Sequence, residues 1–350
     1  MSIQQFLELT ITKNASDLHL AVGFPPLIRI DGELYPVPGE ELIAQEQIEI
    51  LLDPLLTELQ KKAFNENMEL DFSFEYQGKA RFRINLYKQK GTVAASLRLI
   101  PLTIRTLSEL NLPKIISRVA ELKQGFILVT GPTGHGKSTT LASLINMINQ
   151  TRAVHIVTVE DPIEYVYPPG KSLISQRELL SDTKSWSNSL RAVLREDPDV
   201  VLIGEMRDLE TIASAITIAE TGHLVLATLH TNSATQAVDR IIDVFPENQQ
   251  PQIRLQFAST FEAVISQRLI PMVQTGRVPA VELMFATPAA RNMIRESKTY
   301  MLDSLIETSA ELGMLSLENS LAGLVKAGKI SSDVALKYSL RPDLLARLLK

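Results

Sequence analysis

The chain has no cysteine among its 350 residues, which excludes disulfides and thiolate metal sites and leaves the redox compartment unconstrained. Long apolar runs are also missing: none approaches the roughly 18 residues a bilayer-spanning helix requires. The opening Met1-Ser2-Ile3-Gln4-Gln5 has no basic-then-apolar leader pattern, so the expectation is a protein made and kept in the cytosol. Basic residues are not in excess, with 35 Lys and Arg against 40 Asp and Glu. The resulting net charge of −5 offers no footprint for nucleic acid, and no nucleic-acid partner is expected. Low-complexity tracts and internal repeats are absent too. What remains is an ordinary globular composition, 45% hydrophobic and 21% charged, in a chain too long for one small core. Two domains are expected.

Residues 1–100 read as an α+β module. A short helix over 3–12 precedes strands at 16–21 and 27–37, with Asp31-Gly32 as a hairpin turn signal, and two helical patterns cover 44–65. Leu70, Phe72, Phe74 and Tyr76 then alternate with polar residues, as do Ala80, Phe82, Ile84 and Leu86 after Gln77-Gly78. This is a hairpin with one buried face, and it leaves Arg81, Arg83 and Asn85 on the other. Val93, Ala95, Leu97 and Leu99 continue the pattern with Arg98 pointing outward. Residues 101–113 hold two prolines and little periodicity, so they read as an interdomain linker. Apolar runs at 126–129, 155–159, 200–203 and 224–229 alternate with helical patterns, predicting a parallel sheet covered on both faces over 114–270. Residues 271–350 read as a mostly helical region.

Gly131, Pro132, Thr133, Gly134, His135, Gly136, Lys137, Ser138 and Thr139 lie between the first of these runs and an amphipathic segment. The spacing is that of a phosphate-binding loop: glycines let the backbone N–H groups wrap a phosphate chain, Lys137 reaches the terminal phosphates, and the Ser138 hydroxyl holds Mg²⁺. Hydrolysis needs acids as well. Pro162 ends the second run at Glu160-Asp161-Pro162-Ile163-Glu164, and the third run ends at Gly204-Glu205, so both Glu164 and Glu205 fall at the carboxyl edge where ligands bind in open α/β sheets. His223 and His230 bracket the fourth run. Seven residues apart along a strand they stand at opposite ends, which disfavours a shared metal, and His230 falls on the nucleotide side, where it suits sensing of a γ-phosphate.

The ordered series GPTGHGKST, VEDPIE, LIGEMRD and TGHLVLATLHTN resembles the Walker A, Asp-box, Walker B and His-box motifs of the type II/IV secretion ATPases. The ASDLHL opening and the short amino-terminal module are similar to those of the type IV pilus retraction ATPases, the PilT family, within that group. Ala289-Ala290-Arg291-Asn292-Met293-Ile294-Arg295-Glu296 resembles the AIRNLIRE motif of that subfamily, departing at Ala290 and Met293. The resemblance implies a PAS-like domain followed by a RecA-like ATPase domain in a homo-hexamer, with ATP and Mg²⁺ as cofactors. It assigns the Asp-box and Walker B roles to Glu164 and Glu205, the His-box roles to His223 and His230, and nucleotide contacts from the amino-terminal domain to Arg83 and Arg98. It assigns a motor function to Arg291, Asn292, Arg295 and Glu296. The partner it implies is an inner-membrane pilus platform protein, met at the cytoplasmic face of the membrane. Two other functions fit less well: a pilus-extension or secretion ATPase, whose families usually carry a four-cysteine metal insert, and a nucleotide-gated scaffold without turnover, which would not need two placed acids.

Overall fold

The computed structural model describes residues 1–30, 32–100 and 103–350. The chain divides into two compact units, Met1–Thr103 with Asp161–Val166 and Ile104–Glu160 with Tyr167–Lys350.

The first unit runs α1 (Ile3–Thr12), β1 (Asp17–Ala21), β2 (Leu27–Ile30), β3 (Glu33–Pro36), α2 (Gln45–Leu52), α3 (Glu58–Asn67), β4 (Glu69–Tyr76), β5 (Ala80–Gln89) and β6 (Thr92–Ile100). Its strands form an antiparallel sheet in the order β3-β2-β1-β6-β5-β4. The alternating residues decide which face is buried: Phe72, Phe82, Ile84, Leu86 and Leu97 pack against Phe6 and Leu7 of α1 and Ile48 of α2. Each such side chain contributes about 1.5–3 kcal/mol by leaving water. Ser2 starts α1 through a reciprocal capping box with Gln5. Asp31, half of the expected turn signal, lies outside the described residues; Gly32 follows at φ +93.

The second unit contains β7 (Gly125–Thr130), α4 (Lys137–Thr151), β8 (His155–Glu160), β9 (Leu173–Glu178), α5 (Trp186–Val193), β10 (Val200–Ile203), α6 (Leu209–Glu220), β11 (Leu224–Leu229), α7 (Ala234–Asp243), α8 (Gln250–Thr260), β12 (Phe261–Pro271) and β13 (Arg277–Phe285). Helices α9 (Pro288–Arg295), α10 (Leu302–Thr308), α11 (Leu317–Lys326), α12 (Ser332–Tyr338) and α13 (Pro342–Leu348) complete it. The sheet order is β13-β12-β7-β11-β10-β8-β9, parallel from β12 through β9, with β13 antiparallel at the edge. Every residue of β7, β10 and β11 is buried, as continuous apolar runs between two helical layers must be. Because these three strands are parallel neighbours, the segments that leave their carboxyl ends emerge side by side.

Three sequence expectations need correction. The sheet does not stop near Pro271: β13 adds a strand before the helices begin. Strands β9 and β12 carry Ser175, Gln176 and Arg177, or Ser266, Gln267 and Arg268, among their apolar residues, which interrupts the runs that identified the other parallel strands. The segment read as a linker is only partly one. Pro101 and Leu102 lie outside the described residues, but Leu107 and Leu112 are buried with Ile116 and Val119 in the second unit. Leu107 lies in a turn and Leu112 just after it, ahead of a 3-10 helix, Lys114–Glu121, so no strand or α-helical periodicity announces them.

Candidate nucleotide site

The phosphate loop is built by β7 on one side and α4 on the other. Its glycines take φ values of +141 at Gly131, +77 at Gly134 and +83 at Gly136, a region costly to any residue with a Cβ. At Gly131 a Cβ would also stand 2.2 Å from the Gln267 carbonyl oxygen of β12. The glycine is therefore dictated by a strand more than a hundred residues away. Gln267 holds the loop further through its side chain, which donates to the His135 carbonyl at 2.9 Å and accepts from the Thr140 hydroxyl at 2.7 Å. The His135 ring accepts the Leu269 N–H at 2.9 Å. Burial, with the Arg277, Arg268 and Lys137 cations, holds its pKa below the ordinary range, so this histidine serves as a neutral acceptor that pins the loop. Nothing in the sequence singled out Gln267; it reads as one polar residue in a long strand.

Lys137, 8% exposed, opens α4 and sends its ammonium back to the carbonyls of Gly131 at 2.8 Å and Pro132 at 3.1 Å. Ser138 and Thr139 follow in the first turn, where free helical N–H groups and the positive end of the helix favour an anion. The loop thus has the cradle, cation and hydroxyl that a polyphosphate needs.

The His230 ring joins this loop to the acid after β10. Its Nδ1 lies 3.4 Å from Lys137 Nζ and 3.3 Å from the Thr133 hydroxyl, while its Nε2 lies 2.9 Å from Glu205 Oε1. The tautomer protonated on Nε2 satisfies all three contacts, accepting at Nδ1 and donating to the carboxylate. Two backbone bonds fix the acid: Gly204 N–H donates to Val159 O at 2.8 Å, and Met206 N–H to Thr228 O at 3.2 Å. Arg207 grips both Glu205 oxygens, at 2.6 and 2.8 Å. Burial pushes the Glu205 pKa up, but the Arg207 fork and His230 outweigh it and hold the carboxyl below its usual range. Glu205, His230, Lys137 and Thr133 are therefore one connected group, and Glu205 stays ionised. Among the described residues no set of three or more His, Asp or Glu is grouped as a metal cage.

The sequence profile of the type II/IV secretion system protein family matches residues 70–311. The type IV pilus retraction ATPase PilT of Pseudomonas aeruginosa is 46% identical over 343 residues, 98% of this chain and 99% of that protein. A twitching motility protein of Neisseria gonorrhoeae is 46% identical over 317 residues, covering 90% of this chain and 84% of that one. A crystal structure of the pilus retraction motor PilT with bound ADP superposes with a TM-score of 0.92 at 44% identity, covering 99% of both chains. The Legionella pneumophila ATPase DotB superposes at 0.85 with 26% identity, over 100% of this chain and 97% of that one. The chain belongs to the PilT family of type II/IV secretion ATPases.

The other residues to which the resemblance assigns roles are distributed more widely. Glu164 lies in the Asp161–Val166 segment that packs with the first unit, where its Oε1 accepts from Arg83 at 3.2 Å. Arg83 also forks onto Asp71, at 2.8 and 3.4 Å. Burial pulls the Arg83 pKa down, but the bond to Asp71 and the charges of Asp71, Glu164 and Asp161 outweigh it and keep the guanidinium charged. Arg98 stands directly across the β5–β6 ladder from Arg83, and its neighbour on the other side, Asp17, accepts from it at 2.9 Å. These carboxylates offset a like-charge pair that would otherwise destabilise the sheet. His223 stays at the far end of β11, paired with Ile218 O and the Thr221 hydroxyl at 3.0 Å each, and is not brought to the loop.

The four α9 residues that the resemblance groups together, Arg291, Asn292, Arg295 and Glu296, are also divided. Arg291 reaches the carbonyls of Ala258 and Ser259 at 2.6 and 2.8 Å and Glu262 at 2.6 Å, closing the end of α8. Asn292, Arg295 and Glu296 are exposed and bond mainly to one another, while Ala290 and Ile294 are buried as the helical spacing requires. Arg291 is therefore a structural staple, separate from the exposed patch. No helix of the described residues is long and apolar enough to cross a membrane.

Proposed function

We propose that the chain is an ATP-hydrolysing motor that drives type IV pilus retraction and twitching motility. The observation that carries hydrolysis is the connected group of Lys137, His230 and Glu205 around the phosphate loop; similarity along almost the whole chain to retraction ATPases supports the retraction role. Bound ATP would supply the transferable phosphoryl group, and the Ser138 hydroxyl and Glu205 would hold Mg²⁺, which would neutralise charge on the phosphate oxygens. Lys137 turns from the carbonyls of its own loop to the terminal phosphates. His230 bridges Lys137 to Glu205 and meets the γ-phosphate side of the nucleotide. Glu205, kept ionised, orients the metal or the attacking water.

The first unit serves as the PAS-like domain and the second as the RecA-like ATPase. Six copies close into a ring, in which Arg83 and Arg98 exchange their carboxylate partners for the nucleotide of a neighbouring subunit and Glu164 acts beside them. The exposed Asn292, Arg295 and Glu296 transmit the conformational change. The ring works at the cytoplasmic face of the inner membrane, held there by a pilus platform protein and binding no nucleic acid. Deleting the gene tests the reading: surface pili accumulate and twitching stops, and a Lys137→Ala copy fails to restore it. Loss of surface pili on deletion would instead assign the motor to extension.

A further inference from the structure

A buried acid on the edge strand β13, Glu282, is bonded to the start of the helix that follows His230. His230 follows β11, and α7 begins four residues later at Ala234, so the placement of the ring depends on where that helix starts. Ser233 caps α7 by accepting the Gln236 N–H at 3.2 Å, and Gln236 returns a bond to Asn232 N–H at 3.1 Å. Those contacts shape the turn but tie it to nothing else. Beyond the packing of Ala234, Ala237 and Val238 in the core, the hydrogen bonds that tie this helix start to other elements among the described residues go to two carboxyls. Asp303 of α10 accepts from the Thr235 hydroxyl at 2.6 Å, and Glu282 of β13 accepts the Ala234 N–H at 2.7 Å. Of the two, Glu282 holds backbone, and it is only 5% exposed.

A buried carboxyl is expensive, and this one lies amid other charges. Burial raises its pKa to about 7; the Ala234 N–H bond opposes the rise, Asp303 and Glu318 of α11 add to it, and Arg341 before α13 opposes it. Arg268 of β12 is a further charged neighbour. An alanine or leucine in β13 would avoid this desolvation cost. What the carboxyl provides in return is an acceptor, in either protonation state, for the first N–H of the helix that follows the His-box loop. Glu282 is paired across the ladder with Ser266, beside the Gln267 that clamps the phosphate loop. The β12–β13 pair thus holds both sides of the site.

We propose that Glu282 is a positioning residue for hydrolysis: through the start of α7 it sets the distance of His230 from Lys137 and Glu205. This rests on the reading of His230 as part of the nucleotide site. The test uses the full-length protein with Glu282→Ala, Glu282→Asp and Glu282→Gln. Displacing the ring by about 1 Å lowers kcat tenfold or more in the alanine and aspartate variants with KM for ATP nearly unchanged. Glutamine keeps an acceptor at the same reach and restores most of kcat. The second readout is independent of turnover: carbon-13-labelled histidine gives five imidazole signals, and the one lost in His230→Ala identifies the ring. That signal moves in Glu282→Asp and holds its place in Glu282→Gln. An unmoved signal in folded Glu282→Asp would overturn the proposal, as would a fall in kcat matched by an equal loss of ATP binding. If His230→Ala hydrolyses ATP at the parent rate, the role of His230 itself fails, and the imidazole signal still decides whether Glu282 positions the ring.

Discussion

The sharpest test of the cradle compares two glycines of the same loop, Gly131 and Gly134, three residues apart. Gly131→Ala introduces a Cβ 2.2 Å from the Gln267 carbonyl oxygen and 3.3 Å from its carbon, at a residue with φ +141. Neither atom can turn aside, because both belong to the backbone of β12, which is paired with β7 up to Ser266 opposite Thr130. Overpacking of this kind costs about 1–3 kcal/mol and the unfavourable backbone about 1–2 more, so a loss of roughly 2–5 kcal/mol is expected. Gly134→Ala, at φ +77 with nothing within 4 Å of the added carbon, carries only the backbone part, about 1–2 kcal/mol. Stiffening of the unfolded chain offsets both by the same few tenths, so the contrast survives. The single tryptophan, Trp186 at the start of α5, reports urea unfolding of the second unit, and a fluorescent ADP analogue reports the loop. Gly131→Ala lowers the urea midpoint more than Gly134→Ala and weakens nucleotide binding. Equal midpoints, or the reverse order, would show that β12 does not dictate the glycine.

Lys137→Ala loses nucleotide affinity and turnover together, whereas Glu205→Gln binds the analogue normally and loses turnover; phosphate release at the parent rate from Glu205→Gln would refute the acid's role. For Glu282, the folded pKa of about 7 lies above the ordinary 4.5, so the folded state holds a proton that the unfolded chain has released between those values. The stability linked to that proton is complete below pH 4.5 and is lost as pH rises to 7, on the order of 3 kcal/mol, and Glu282→Gln removes that part of the decline in urea titrations at stepped pH. Arg291→Ala lowers stability by about 1–3 kcal/mol because it removes the guanidinium from two carbonyls at the end of α8 and from the partly buried Glu262, while Arg295→Ala, at an exposed site, changes it by less than about 0.5. A twitching defect in Arg295→Ala with normal melting then reports the motor, and a large loss of stability there would contradict the division of α9.

Strand residues that need no distant partner to explain them are the ones the sequence made legible. Residues 126–129 are apolar throughout, and Leu224–Leu229 are apolar except for Thr228, because both faces of a parallel sheet are covered, and Lys137 and Ser138 occupy fixed offsets from the loop glycines. Glu205 and His230 follow from the same logic, since the ends of adjacent parallel strands meet at one edge. The supporting residues obey no such period. Gln267 bonds to His135 across 132 positions, and Glu282 to Ala234 across 48; each occupies one site in an antiparallel pair whose sequence says only that a polar group is present. A buried acid in a strand such as Val278 to Phe285 was the available signal, because nothing in the packing of β13 alone offsets the cost of its desolvation. The residues proposed to contact phosphate are thus readable from spacing, whereas the residues that hold them depend on which strands become neighbours. For that reason the effects of Gln267 and Glu282 are the ones that local motif reasoning cannot anticipate, and substitutions there distinguish a loop that binds nucleotide by its own sequence from one held in shape by β12 and β13.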